Sequence, residues 1–100
     1  MNSNGKTDTI MTISVYSIMQ NRDYPTAGDL LYQQIMRGQN EHIIVLDMDG
    51  VSLLPSMFLN PSLGRLIKEN GVDYVKDRIV FKNIKSADSK RIVEYVRRFA

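Results

Sequence analysis

The chain has 100 residues, 43% of them hydrophobic and 24% charged, and a net charge of +2, enough for one domain with one core and too little for a second. It has no cysteine, which excludes a disulfide framework, a zinc–thiolate site and a thiol nucleophile, and suits a reducing compartment. The longest aliphatic run, Ile43 to Leu46, is far short of the ~20 residues a bilayer span needs.

Residues 1–9 are polar and lack the apolar stretch of a secretory signal. They read as an N-terminal tail ahead of one cytoplasmic domain over 10–100, with no membrane partner. From Ile10 to Tyr16 the sequence alternates, Met11, Ile13 and Val15 on one side and Thr12 and Ser14 on the other; a period of two predicts a strand with one buried face. After a polar loop, Thr26 is placed as an N-cap with Asp29 three residues on. Leu30, Leu31, Ile35 and Met36 recur at helical spacing, and Gly38 offers a left-handed stop. The β-branched run Ile43-Ile44-Val45-Leu46 predicts a central strand covered on both faces, as in parallel sheets.

Asp49-Gly50 predicts a turn. Leu59, Leu63, Leu66 and Ile67 mark a second helix ending at Asn70-Gly71. Pro61 fits this helix in two ways: in its first turn behind an Asn60 cap, or as a kink in a helix begun near Ser56. Arg78 to Lys82 predicts another strand. Ser86 caps a last helix whose apolar face is Ile92, Val93, Val96 and Phe99. A short extra strand is expected either within residues 8–17 or near Tyr74-Val75. The order β-α-β-α-β-α implies helices on a mainly parallel sheet of about four strands, an α/β fold.

The stretch Ile43-Ile44-Val45-Leu46-Asp47-Met48-Asp49-Gly50-Val51-Ser52-Leu53-Leu54-Pro55-Ser56-Met57-Phe58-Leu59, with Leu63-Gly64-Arg65-Leu66 after it, resembles the core signature of STAS domains. These are the domains of anti-sigma-factor antagonists and of sulfate-transporter tails. The ending Arg78 to Ile84 and Arg22 resemble a small bacterial STAS-like family of unknown function. The resemblance spans roughly Ile10 to Phe99 and implies regulation by protein recognition. The implied partner is a histidine-kinase-type ATPase; the sequence leaves a homodimer open. In the antagonists a serine at the start of this helix is phosphorylated, and the added charge breaks the complex. Here that position is Met57, with Ser56 before it and Pro55 where an acidic residue is usual. The standard switch is therefore missing. Ser56 reads as a plain N-cap or as a displaced phosphorylation site, and an exposed Met57-Phe58 pair would suit docking. Asp47, Asp49, Pro55, Ser56, Met57 and Phe58 form the expected partner-binding set, with no catalytic residue, cofactor or metal.

Asp47-x-Asp49-Gly50-Val51 after an apolar strand also looks like the first motif of haloacid-dehalogenase-type phosphatases, in which one aspartate attacks phosphorus beside Mg²⁺. Asp73, Asp77 and Asp88 are too scattered in sequence to supply that family's later metal-binding pair. His42, the only histidine, reads as a surface residue. The late cations Lys82, Lys85, Lys90, Arg91, Arg97 and Arg98 are interrupted by Asp88 and Glu94 and lack interleaved aromatics. They read as a solvated helix face rather than a nucleic-acid footprint.

Overall fold

The computed structural model describes residues 9–100. Three parallel strands, β1 (Ile10–Ser14), β2 (Ile43–Asp47) and β3 (Ile79–Lys82), lie in the order β1-β2-β3. Their register aligns Ile13 with Leu46 and Phe81, and Ser14 with Asp47 and Lys82. The helices are α1 (Val15–Met19), α2 (Tyr24–Arg37), a run from Ser56 to Asn70, α5 (Val72–Arg78) and α6 (Ser86–Arg97). The α/β class and the parallel sheet are as expected. The fourth strand is not found among the described residues, because Tyr74-Val75 lies within α5. Of the polar start, only Thr9 falls inside the described residues. Its carbonyl and hydroxyl accept hydrogen bonds from the backbone N–H groups of Ile43 and His42.

Strand β1 is shorter than its alternation implies. The Ser14 hydroxyl accepts a hydrogen bond from the Ser17 N–H at 3.2 Å, so the chain turns into α1 there. Val15 and Ile18 both stay in the core. The cap of α2 is Asp23 rather than Thr26: its carboxylate accepts from the Thr26 N–H at 2.8 Å, and Pro25 occupies the first turn. Gly38 ends α2 without a left-handed conformation, at φ −95°. A Cβ here would run into the Met11 thioether, the movable end of a flexible side chain.

A sheet whose strand order never reverses, joined by right-handed crossovers, has its connecting helices on one face. Ile13, Ile44, Leu46 and Ile79 point into that covered side and are buried. On the other side Ile10 is 63% and Val80 46% exposed, and Val45 is only half-buried. The expectation of a β2 covered on both faces is thus corrected.

The Ser56–Asn70 run contains α3 (Ser56–Leu59), a π-helical segment (Asn60–Gly64) and α4 (Arg65–Asn70). It begins near Ser56, and Pro61 sits inside it. Proline has no N–H to offer the preceding turn and crowds its carbonyl. The wider π register, with the Arg65 N–H reaching the Asn60 carbonyl, accommodates it. The fully buried Ser62 hydroxyl donates to the Phe58 carbonyl at 2.7 Å, so it is satisfied within the run itself. On α6, Tyr95 rather than Val93 faces inward. Tyr95 is 3% exposed, against 51% for Val93, and its hydroxyl donates to the Asn60 side chain at 2.7 Å. Ser86 is the first residue of α6, with Lys85 in the cap position.

Candidate functional site

The strands run the same way, so Ser14, Asp47 and Lys82 end at one edge of the sheet. The loops that follow them meet there. The Asp47 carboxylate closes the β2 exit by accepting from the Asp49 N–H at 3.1 Å, the local turn that aspartate favours. The same oxygen accepts from the Asn83 amide at 3.0 Å, tying the β2 and β3 exits together. Next, the Val51 N–H returns to the Met48 carbonyl at 3.0 Å across Gly50, whose φ of +88° suits glycine.

These contacts set the charge at the edge. The Asn83 amide, and after it the Asp49 N–H, hold the Asp47 carboxyl below the usual carboxylate range. A depressed folded pKa contributes stability that is complete above the unfolded value, about 3.9. That contribution is lost as pH falls through the folded value. Asn83 itself is left-handed, at φ +57°. Replacing it with alanine or glycine is expected to return the Asp47 pKa toward the ordinary value in a carboxyl-carbon NMR titration. Alanine should destabilise more than glycine, since only alanine also bears left-handed strain of roughly 1–2 kcal/mol. An unmoved Asp47 titration in both variants would contradict the tie.

Beyond the turn, Val51 and Leu54 are buried and fasten the loop, while Leu53 between them is 62% exposed. Pro55 takes the cap position of α3 with extended φ and ψ, and its carbonyl accepts from Phe58 and Leu59. Ser56 is therefore the first helical residue and not the N-cap. Its hydroxyl lies 3.5 Å from the Arg91 guanidinium. Arg91 reaches over from α6 and donates to the Leu54 carbonyl as well. Met57 is 60% exposed and Phe58 1%, so the two part company: Met57 faces solvent and Phe58 is core.

Of the six expected partner-binding residues, Asp47 and Asp49 hold the turn after β2, Pro55 and Ser56 open α3, Met57 is exposed, and Phe58 drops out because it is buried. Leu53 and Arg91 were not foreseen. Two adjacent leucines in a loop signal that one faces out, but the sequence does not say which. Arg91 resembles any other cation of a solvated helix until α6 is docked. Asp47 serves the turn, and among the described residues no three His, Cys, Asp or Glu side chains gather as a metal group. Asp73, Asp77 and Asp88 do not join the pair. Among the described residues the strand order does not reverse, so it makes no switch-point crevice of the kind in which open α/β sheets bind small substrates. No helix among the described residues is long and apolar enough to cross a membrane.

Compared with models of known families, residues 27–89 match a STAS-like domain of unknown function. No curated protein and no solved structure matches the chain.

Proposed function

The chain belongs to the family of STAS-like domains of unknown function, and from that premise we propose that it is a non-catalytic regulatory module which docks a partner protein on the surface formed by Leu53, Pro55, Ser56 and Met57. The carrying observation is the exposure of two large apolar side chains, Leu53 at 62% and Met57 at 60%, at the entry to α3. Both project from backbone that is fastened from below by Val51, Leu54 and Phe58, all buried, and from the side by Arg91. Exposed apolar side chains on a held loop lose little conformational freedom on binding. Methionine also adapts to the shape of what it meets.

The partner class proposed is a histidine-kinase-type ATPase, as in the related antagonists. With Met57 where those carry the phosphorylated serine, the contact is constitutive rather than switched at that position. Asp47 and Asn83 act as braces: they fix the loop's exit from the sheet and do no chemistry.

The test is titration of the chain with such an ATPase from its own genome, by calorimetry, with and without ATP. The double variant Leu53→Asp/Met57→Asp is expected to bind at least tenfold more weakly, about 1.4 kcal/mol or more, and to keep its circular dichroism, because both side chains are exposed. Unchanged affinity in that variant would remove this surface from the account.

A further inference from the structure

A cavity of about 480 Å³ opens between α5, β3 and α6, on the opposite side of α6 from its contacts with Leu54 and Asn60. Its floor is Val75, Ile79 and Ile92, all buried, and its walls include Phe81, Ile84 and Val96. Interiors normally close such gaps by packing. Here α6 is held away from β3 by polar anchors: Arg91 on the Leu54 carbonyl and Tyr95 on the Asn60 side chain. Moving α6 inward to fill the gap would break both.

Lys76, Arg97 and Ser89 line its mouth, and no aspartate or glutamate does; Ala100, the last residue of the chain, lines the cavity as well. Among the described residues neither Lys76 nor Arg97 forms an ion pair; the ion pairs found are those of Arg65 with Asp29 and Glu69. The mouth therefore presents an ammonium and a guanidinium, which only donate, and a hydroxyl. The volume lies within the roughly 300–1,000 Å³ usual for small-ligand sites. It does not offer the extended area, about 800 Å² per partner, of a protein interface.

We infer that this cavity is a binding site for a small amphipathic carboxylate, its aliphatic chain among Val75, Ile79 and Ile84 and its carboxylate at Lys76 and Arg97. The apolar floor selects a chain without internal polar groups, since any such group would be left unpaired there. The two cations lining the cavity select an anionic head over an alcohol or an amine.

Decanoate serves as the probe, titrated into methyl-labelled protein below its micellar range and followed by NMR. Saturable shifts at Val75, Ile79, Ile84 and Val96 are expected, with 1-decanol binding more weakly than decanoate. Lys76→Glu/Arg97→Glu, at exposed positions, should weaken decanoate by about tenfold, as attraction at two surface charges becomes repulsion, and leave decanol unaffected. Val93→Trp, which fills the mouth from a half-exposed position, should weaken both. Equal affinity for decanol and decanoate, shifts that map elsewhere, or shifts that appear only with micelles would each overturn the assignment. The L53D/M57D variant should bind decanoate normally, so the result is independent of the docking surface.

Discussion

Truncating Phe58 to alanine is expected to remove about 3–5 kcal/mol of stability, the usual range for a buried phenylalanine, while Met57→Ala changes it by less than about 0.5 kcal/mol. The two residues are adjacent, and the contrast comes from position alone. Phe58 is 1% exposed and borders the same small internal void as Leu31 from α2, Leu46 from β2 and Ile92 from α6. It is where helices and sheet meet, so neighbours on three elements would have to move together to refill its space, and they are pinned by their own packing. A domain of this size has about 5–15 kcal/mol in total. The loss should lower the melting temperature on the order of 15–30 °C, measured by calorimetry or circular dichroism. If Phe58→Ala proved as mild as Met57→Ala, the first turn of α3 would be rotated relative to the structure, and both side chains would face solvent. This is also why Phe58 is unsuitable for testing recognition: loss of binding would report loss of fold.

How far such distinctions can be read from sequence depends on whether a local pattern has one physical cause or two. Val15 satisfies a period of two with Ile13 and a spacing of three with Ile18, so the alternation gives the face of β1 correctly but not its end. Ser14 looks like the polar side of a strand and acts as a cap. Asp23 and Thr26 are both competent to start α2, and only Pro25, at home in a first turn, favours the earlier one. The β-branched run of β2 is equally consistent with one covered face or two. The order of strands decides between these, and no residue encodes that order locally.

The candidate site shows the same division. The Asp47 to Gly50 turn is local and was legible as a turn. Its brace, Asn83, lies 36 residues away and has no signature beyond asparagine's tolerance of left-handed backbone. The separation of Met57 from Phe58 hinged on where the helix begins. Successive residues in a helix point about 100° apart, so a start near Ser56 sends the two side chains different ways. A start after Asn60 would leave both in a loop. Pro61 suits either start, and the π-helical segment that accommodates the earlier one contains Ser62 and is met at Asn60 by Tyr95 from α6. Tyr95 takes the buried face in place of Val93 because its hydroxyl has a partner there, and that partner is 35 residues distant.

Gly28 tests this packing from the other side, because two general rules give its substitution opposite signs. It lies within α2, with no left-handed backbone to protect, so helix propensity alone makes Gly28→Ala stabilising by about 1 kcal/mol. A Cβ at that position, however, would stand 2.5 Å from the Phe58 carbonyl oxygen and 2.5 Å from the Pro61 ring. The first is backbone and the second is rigid, so neither can rotate away. Relief requires moving α2 off the α3 and π-helical segment, which would disturb the Phe58 carbonyl that Ser62 bonds at 2.7 Å and the packing around Phe58. Overpacking of this kind costs about 1–3 kcal/mol and occasionally more. Contact with unyielding atoms puts Gly28→Ala at the upper end, so a net loss of about 1–3 kcal/mol is expected in denaturant unfolding. Removing one of the two obstacles should recover part of it: in a double-mutant cycle with Pro61→Ala, the pair should be less destabilised than the sum of the singles. Gly28→Ala at or above parental stability would mean that α2 and the Phe58 carbonyl do not approach so closely. The close fit that fixes the helix start, and with it the outward face of Met57, would then have to be abandoned.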